Sequence, residues 1–301
     1  MNIDAGIHDS IVKKLEEIES SGRVRIIHAV ESGSRAWGFA SPDSDYDVRF
    51  IYMREASFYM KLEKTRDVIE WEMDALLDIN GWDLQKTLRL LHQSNPTLFE
   101  WTNSPIVYKT TDEWSMIKAE VNNYFSAKAG LHHYLSTAHG NYREYVKGET
   151  VKLKKYFYVL RPILACKWIL DKKCPPPMLF SELVEAELEA DMRPVVDELL
   201  NLKMKTPELG EGKRIDKLNE YIETNFISLK DAIEALPEER KADWGRLNEL
   251  FFEVIFHRLC NPVELERLKI DGKEKTVRYR ELFAQKLMYG HIMDLFKGRG
   301  I

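Results

Sequence analysis

The 301-residue sequence has little cysteine and no long hydrophobic run. Its three cysteines, Cys166, Cys174 and Cys260, lack the short paired spacings of metal sites and are too few for a disulfide framework. A reduced, cytoplasmic protein is therefore expected. No stretch of about 18 apolar residues is present, so no membrane span is expected. The first residues also lack the charged and apolar pattern of a signal peptide.

A strong excess of one charge is missing as well. The chain has 44 lysines and arginines against 49 aspartates and glutamates, a net charge of −5. The surface as a whole is therefore not of the kind that binds polyanions, and any nucleic-acid contact has to be local. Apolar residues make up 44% of the chain, which is ordinary for a globular core. The length suits two modest domains.

What the sequence does contain is a glycine–serine turn next to a strand. Residues 24–30 are rich in β-branched side chains and predict a strand, and Gly33 and Ser34 follow it. Residues 35–39 can form a short helix. Glycine allows a close approach of the backbone, and amides at the start of a helix suit a phosphate, to which Ser34 can add a hydroxyl donor. The segment predicts a phosphate-binding turn.

Two aspartates follow this turn, Asp45 and Asp47, at the start of a second predicted strand (45–52). Side chains two apart on a strand share a face, so both acids project together while Val48, Phe50 and Tyr52 pack on the opposite face. Two carboxylates 4 Å apart repel by roughly 4 kcal/mol at an effective dielectric of 20. Such a pair predicts a bound cation, and Mg²⁺ or Mn²⁺ is the expected ion because hard cations prefer carboxylate and phosphate oxygens.

The motif resembles the signature of the DNA polymerase β nucleotidyltransferase superfamily. From Gly33 to Arg49 the chain reads Gly-Ser-Arg-Ala-Trp-Gly-Phe-Ala-Ser-Pro-Asp-Ser-Asp-Tyr-Asp-Val-Arg, which is similar to one branch, the predicted nucleotidyltransferases linked by name to an RNA-repair pathway. The resemblance continues through Asp78–Leu84, Ser94–Pro96, Glu100, Lys154–Tyr156 and Leu160–Pro162. It implies an α/β catalytic fold, a nucleoside triphosphate substrate and a divalent metal cofactor.

A third acid is also implied. In the resembling family it occupies a strand just before a helix, which favours Asp78 and makes Asp45, Asp47 and Asp78 the predicted catalytic and metal-binding set. Glu70 and Glu72, on the preceding extended segment, remain alternatives. Strand register decides between them, because a slip by one residue moves every side chain to the other face.

The periodicity divides the chain into an α/β part and a helical part. A mixed sheet flanked by helices is expected in residues 1–108, the nucleotidyltransferase catalytic domain, and a mainly helical nucleotide- or substrate-binding domain in residues 109–301. The predicted helices are 8–19 (capped by Asp9 or Ser10), 84–92, 112–139, 151–170, 180–202, 214–236 and 247–259, with 206–213 and Asn261-Pro262 as breaks.

A basic segment lies in the predicted second domain. Lys154, Tyr158 and Arg161 recur at helical spacing, with Lys155 beside the first. The resemblance implies that Lys154 or Lys155 grips the triphosphate and that Tyr158 lies nearby; a solvated helix face with core aromatics is the alternative. Arg35, directly after the turn, is expected to contact the triphosphate or to form a structural salt bridge.

These residues predict a metal-dependent nucleotidyltransferase. It would transfer a nucleoside monophosphate to an acceptor hydroxyl and release pyrophosphate. The acceptor stays open among an RNA or DNA end, a protein side chain and a small molecule. The alternative is a catalytically silent nucleotide-sensing or RNA-binding regulator on the same fold.

Overall fold

A five-stranded mixed sheet forms the N-terminal half of the protein. The structure is a computed structural model that describes residues 3–71, 76–206, 210–237 and 242–260. The strands lie in the order β3-β4-β2-β1-β5, and only the β2–β4 pair is parallel within this sheet. Their bounds are β1 Arg25–Glu31, β2 Tyr46–Met53, β3 Val68–Glu70, β4 Leu77–Asp83 and β5 Val107–Thr110.

The alternation of β2 creates one apolar and one polar face. Val48, Phe50 and Tyr52 are buried in one cluster, as the sequence predicts. Asp47 and Arg49 alternate with them and are only partly buried. Because strand side chains alternate, these two residues share the opposite face.

The first helix, α1 (Ala5–Gly22), covers the apolar face and begins earlier than predicted. The Asp4 carboxylate accepts hydrogen bonds from Gly6 N at 2.9 Å and Ile7 N at 3.2 Å. These bonds satisfy two amides that a helix start leaves without partners. The prediction that Asp9 or Ser10 caps this helix is therefore wrong, since both lie inside it.

Helices make up most of the remaining described structure. The four that accompany or follow the sheet strands are α2 Gly33–Ala36, α3 Leu84–His92, α4 Pro96–Thr102 and α5 Asp112–Val121. Six more follow, α6 Ala127–Asn141, α7 Lys155–Lys172, α8 Phe180–Glu187, α9 Arg193–Lys205, α10 Asp216–Glu234 and α11 Trp244–Cys260. A sheet flanked by helices, followed by a mainly helical part, is thus confirmed.

Three details of the helical part differ from the prediction. Residues 112–139 form α5 and α6 rather than one helix, because Ser126 caps α6 by accepting a hydrogen bond from Ala129 N at 3.0 Å. Residues 180–202 are also split, with Pro194 in the first turn of α9. A small antiparallel ladder pairs β6 (Thr150–Lys152) with β7 (Glu211–Lys213), where the sequence predicts the start of a helix and a loop.

The residues directly after α2 pack against the helical part of the protein. Phe39 lies in the same buried cluster as α7 and α8, with its ring centroid 5.2 Å from that of Phe157 and 5.4 Å from that of Phe180. Phe180 N also donates a hydrogen bond to Trp37 O at 2.9 Å. The segment that leads from α2 to β2 is thus anchored on helices distant in sequence.

Helices from later in the chain also cover the sheet. Trp114 of α5 and Leu250 of α11 share a buried cluster with Ile27 and Ile51 of the sheet. The sheet and its helical cover therefore include residues on both sides of position 108, and the predicted domain division stays a prediction. None of the described helices combines the length and hydropathy needed to cross a bilayer.

Candidate active site

The glycine–serine turn lies directly against Asp47. Ser32 N donates a hydrogen bond to Asp47 O at 2.8 Å, which ties the turn after β1 to β2. Gly33 has a φ of +57°, and a Cβ added there would lie 1.9 Å from Asp47 Oδ2. Only glycine fits this close approach. The short helix spans 33–36 rather than the predicted 35–39, so Gly33 and Ser34 are its first two residues.

Asp47 and Asp78 face each other across the parallel strands β2 and β4. Arg49 lies between their carboxylates: its Nη2 donates to Asp47 Oδ1 at 2.9 Å and to Asp78 Oδ2 at 2.7 Å. Its Nη1 also donates to Asp78 O at 2.8 Å. The structure therefore brings two of the three predicted acids together and adds a cation that the sequence reading did not assign.

Asp45 lies outside the strand in which it is predicted. It is exposed and stands one residue before β2. The guanidinium of Arg35 fixes the loop that precedes β2. Its Nε donates to Asp45 O at 3.1 Å and its Nη2 donates to Ser44 O at 2.5 Å. The same guanidinium stacks 3.7 Å from the ring centroid of Tyr46. Among the described residues Arg35 forms no salt bridge, so the salt-bridge alternative is not supported, and contact with the triphosphate stays a prediction.

The negative charges around Asp47 oppose its ionisation. Burial raises the pKa of Asp47, the charge of Arg49 lowers it, and the charges of Asp78 and Asp45 raise it again. Asp45 thus acts electrostatically on Asp47 although it stands outside the strand. The concentration of acids favours a cation in addition to the single guanidinium.

A buried glutamate supports Asp47 from behind. Glu31 is fully buried at the end of β1, and its Oε1 accepts a hydrogen bond from Asp47 N at 2.9 Å. Tyr108 donates to Glu31 Oε2 at 2.5 Å. Burial is the main reason why the pKa of Glu31 rises to about 7. No sequence pattern singles this residue out, because an acid at a strand end usually faces water.

Of the two alternatives for the third acid, Glu70 and Glu72, the structure describes Glu70. Glu70 lies on the edge strand β3 opposite Asn80, is exposed and pairs with Arg66. Glu72 lies outside the described residues. Asp78 is therefore the described candidate that adjoins Asp47, and its catalytic role stays a prediction.

The residues of the predicted basic segment differ in their surroundings. Lys154 precedes α7 and is exposed, and Lys155 packs its ammonium 4.5 Å from the ring centroid of Tyr145 and 4.6 Å from that of Tyr158. Arg161 is buried and pairs with Glu100 at 2.7 Å. Its guanidinium is thus used inside the protein rather than on the face of the two lysines.

Tyr158 connects α7 electrostatically to the acids. Burial raises its pKa, and the negative charges of Asp47 and Asp45 raise it further. Its ring meets that of Trp37 edge-on, at 5.3 Å between centroids. The charges of Asp47 and Asp45 thus reach Tyr158, and its place beside a bound phosphate stays a prediction.

Asp47 and Asp78 provide some of the oxygen ligands that a divalent cation such as Mg²⁺ needs. In the portion of the chain that the structure describes, no three His, Cys, Asp or Glu side chains form a metal-binding group. Mg²⁺, however, commonly takes one or two protein carboxylates and leaves its other positions to water and phosphates. Asp47 and Asp78, about 29% and 33% exposed, are an accessible oxygen pair of this kind, and Arg49 confirms that positive charge fits between them.

A cavity of about 1200 Å³ lies elsewhere, between α3, α5, α6 and α11. Several of its polar side chains are already engaged. His92 stacks on Trp244 at 3.6 Å between ring centroids, and Arg246 pairs with Glu120 at 2.8 Å and Glu253 at 3.1 Å. The acids and the glycine turn are absent from its lining, so the chemistry is better placed at Asp47.

Comparison with known proteins identifies the family of the chain. The model of the RNA repair pathway DNA polymerase beta family matches residues 7–253. The chain belongs to this family. It is also 44% identical over 250 residues to a Bacillus subtilis (strain 168) protein described as the uncharacterized protein YcgL, a match that covers 81% of this chain and 95% of the relative. The predicted resemblance to the RNA repair pathway DNA polymerase beta family is confirmed.

One solved structure is also similar. It is the 1.90 Å crystal structure of a nucleotidyltransferase-like protein from Exiguobacterium sibiricum 255-15, at 15% identity, with 92% of this chain and 91% of that chain covered. The TM-score is 0.29, which is too low to establish a shared fold.

Proposed function

We propose that the protein is a metal-dependent nucleotidyltransferase whose active site is centred on Asp47 and Asp78. The reaction joins an acceptor hydroxyl oxygen to the α-phosphorus of a nucleoside triphosphate and breaks the bond to the β-phosphate, so that pyrophosphate leaves. The observation that carries the proposal is that the Gly33 turn lies against Asp47, which is paired with Asp78 across β2 and β4 on a partly exposed sheet face. Membership of the family supports the same reaction class.

Each residue has a defined part in this proposal. Asp45, Asp47 and Asp78 would hold Mg²⁺ or Mn²⁺, which when bound neutralises phosphate charge and favours ionisation of the acceptor hydroxyl. Gly33 and Ser34 offer backbone amides and a hydroxyl to the phosphates. We propose that Asp78, which is about 33% exposed, accepts the proton of the attacking hydroxyl. Catalysis of this kind depends mainly on positioning and on charge neutralisation.

The basic and aromatic residues of α7 would complete the substrate site. Lys154 and Lys155 bring positive charge to the start of this helix, and the charges of Asp47 and Asp45 help burial to raise the pKa of Tyr158. We propose that a lysine binds the triphosphate and that Tyr158 lies beside the base or sugar. An RNA end is the acceptor that we propose to test first, because of the family description.

One observation favours the alternative, a silent nucleotide-sensing regulator. Arg49 already bridges Asp47 and Asp78, so a guanidinium occupies part of the space that a catalytic cation needs. A regulator of this kind would bind nucleotides without turnover.

Incubation with α-labelled nucleoside triphosphates and Mg²⁺ separates the two functions. Purified protein is assayed with RNA, DNA and cell extract as acceptors, using each of the four ribonucleotides in turn. The wild type is expected to transfer label and to release pyrophosphate. Asp47→Asn and Asp78→Asn are each expected to lower transfer at least 100-fold, because both remove a charge from the site where phosphate charge is neutralised.

The matched control is Asp9→Asn, a carboxylate with 87% exposure on α1, away from the sheet face. This variant is expected to keep full transfer activity. Full activity of Asp47→Asn would contradict the proposed site. Tight nucleotide binding by the wild type without transfer to any acceptor would establish the regulator instead.

A further inference from the structure

The guanidinium of Arg49 is held by the backbone of the sheet as well as by the acids. Its Nη2 donates to Asp47 Oδ1 at 2.9 Å and to Asp78 Oδ2 at 2.7 Å. Its Nη1 donates to two main-chain carbonyls, Val48 O at 3.1 Å and Asp78 O at 2.8 Å. These bonds match the N–H groups of the two Nη atoms. Because the carbonyl bonds do not involve the carboxylates, a metal ion that binds the acids leaves this half of the anchor in place.

Arg49 is also a permanent cation. An arginine side chain in a protein stays protonated, so this position carries positive charge at every working pH. The side chain of Arg49 is only 18% exposed. Moving it away from the acids would break two charge-assisted hydrogen bonds and leave a partly buried guanidinium short of partners, which is unfavourable. Arg49 is therefore a fixed part of the site and not a counter-ion that exchanges readily.

Each carboxylate keeps one oxygen outside the bridge that Arg49 makes. Within residues 3–71, 76–206, 210–237 and 242–260, neither Asp47 Oδ2 nor Asp78 Oδ1 takes part in a hydrogen bond. Asp47 Oδ2 is the oxygen next to the glycine turn, since a Cβ added at Gly33 would lie 1.9 Å from it. A divalent ion bound there would meet a carboxylate oxygen on one side and, on the other, the phosphates that the proposed function assigns to the turn.

Metal-dependent transfer to a hydroxyl often uses two cations, about 3.5–4 Å apart, which stabilise the attacking and the leaving oxygens. In this protein, the position between Asp47 and Asp78 already holds the guanidinium of Arg49. A second divalent ion would meet a fixed positive charge there, and like charges repel. The acids therefore offer room for one divalent ion beside one arginine.

We propose that the guanidinium of Arg49 takes the place of one ion of a two-metal site, so that the acids bind a single Mg²⁺ or Mn²⁺ through the oxygens that Arg49 leaves free. This inference rests on the proposed function and deepens it. A guanidinium neutralises charge but does not ionise a hydroxyl by coordinating it. The proton of the attacking hydroxyl must then pass to a side chain, which is the part proposed for Asp78.

The test counts Mn²⁺ ions by electron paramagnetic resonance. Full-length protein is titrated with Mn²⁺ in the presence of the α,β-methylene analogue of ATP, which cannot lose pyrophosphate. Two Mn²⁺ ions about 4 Å apart couple magnetically and change the spectrum, whereas a single ion does not. The wild type is expected to show one uncoupled ion. Arg49→Gln is expected to bind a second Mn²⁺ about tenfold more tightly than the wild type does and to show the coupled spectrum, because the repelling charge is gone.

The matched control is Arg66→Gln. Arg66 also pairs with a carboxylate, that of Glu70, but its side chain is 69% exposed and lies at the edge of the sheet. This variant is expected to bind a single uncoupled Mn²⁺, as the wild type does. The wild-type spectrum alone can overturn the proposal, so the test stands even if Arg49→Gln does not fold.

Thermal unfolding separates this role from a purely structural one. Without metal, Arg49→Gln is expected to unfold at a lower temperature than the wild type, because Asp47 and Asp78 lose the positive charge between them. Magnesium chloride is expected to raise the melting temperature of the variant more than that of the wild type, since the folded variant has an additional position for the ion. An equal rise in both proteins would make Arg49 a structural residue only and would overturn the proposal.

The outcomes distinguish this inference from the proposed function. A coupled pair of Mn²⁺ ions in the wild type overturns the inference, whether or not nucleotide transfer occurs. A single uncoupled ion in both the wild type and Arg49→Gln, or no bound ion in either, also overturns it. One ion in the wild type and two in Arg49→Gln, without transfer to any acceptor, would support the inference and contradict the transferase.

Discussion

The backbone at Gly33 leaves no space for a side chain. Gly33→Ala is expected to destabilise the protein by about 2–4 kcal/mol, because alanine is strained at a φ of +57° and its Cβ would overlap Asp47 Oδ2. Displacement of Asp47 is expected to abolish nucleotide transfer as well. Urea unfolding and the labelled-nucleotide assay measure the two effects.

Gly140 offers the matched control for this substitution. It lies in α6, and a Cβ added there would meet no heavy atom within 4 Å. Gly140→Ala is expected to leave transfer unchanged and to stabilise the protein by up to about 1 kcal/mol. If Gly33→Ala behaves like Gly140→Ala, the contact between the turn and Asp47 is wrong.

Single residues differ in how far the sequence reveals them. Asp47 is predicted because it belongs to a recognisable motif, and alternation along β2 also places Arg49 on its face. The pairing of Asp47 with Asp78 depends on the register of two parallel strands, which the residues between them do not encode locally.

At the scale of elements, a buried ion pair joins α4 to α7. Arg161 and Glu100 have side chains that are 3% and 13% exposed, and Tyr134 also donates to the glutamate at 2.9 Å. Arg161→Met is expected to lower the free energy of unfolding by about 3–5 kcal/mol, since it leaves the Glu100 charge buried without its cation. Urea unfolding at neutral pH measures the loss.

Lys172→Met is the control for that experiment. Lys172 lies at the exposed end of the same helix and, within the described part of the chain, pairs with its neighbour Asp171. This substitution is expected to change the free energy of unfolding by less than about 0.5 kcal/mol. A loss of similar size in both variants would mean that the buried pair adds nothing specific to the packing of α4 on α7.

Elements were predictable where local signals agree with one another. Helix α3 matches its predicted bounds of 84–92 because an apolar stripe and a capping aspartate coincide, with Asp83 Oδ1 accepting from Gln85 N at 2.8 Å. Strands β6 and β7 are three residues long and pair with each other across about 60 residues of sequence. Pairing over such a distance leaves little trace in the local pattern.

At the scale of the whole molecule, Glu31 makes stability depend on pH. Its pKa in the folded protein is raised from 4.5 to about 7, so the unfolded chain releases its proton at a lower pH than the folded one does. The contribution of Glu31 to the free energy of unfolding therefore falls as pH rises from about 4.5 to about 7, by up to about 3 kcal/mol, and stays constant above that range.

Glu31→Gln isolates this contribution. Glutamine can accept from Asp47 N and donate to Tyr108 without carrying charge. Burial lowers the pKa of His28 to about 4, which acts in the opposite direction, but this effect is common to both proteins and cancels in their difference. Urea unfolding at pH 5 and pH 7.5 is expected to show the variant gaining stability relative to the wild type at the higher pH. A difference independent of pH would contradict the raised pKa.

The overall division into a sheet and a helical part follows from the periodicity, which changes from strand to helix along the chain. The return of α11 onto α3 and α5 could not be predicted, because a helical stripe indicates which face is buried and not what buries it. For the same reason, the sequence did not predict that Trp37 and Phe39 belong to the core of the helical part.

That anchoring has a mechanical consequence. Trp37 and Phe39 are packed against the helical part that includes α7 and α8, whereas Asp47 belongs to the sheet. Gly33 precedes Trp37 by four residues, and a Cβ added there would lie 1.9 Å from Asp47 Oδ2. Because the hydrogen bond from Ser32 N to Asp47 O ties the turn to the sheet, a shift of the helices against the sheet would be absorbed by the residues between Gly33 and Trp37, on one edge of the proposed nucleotide site.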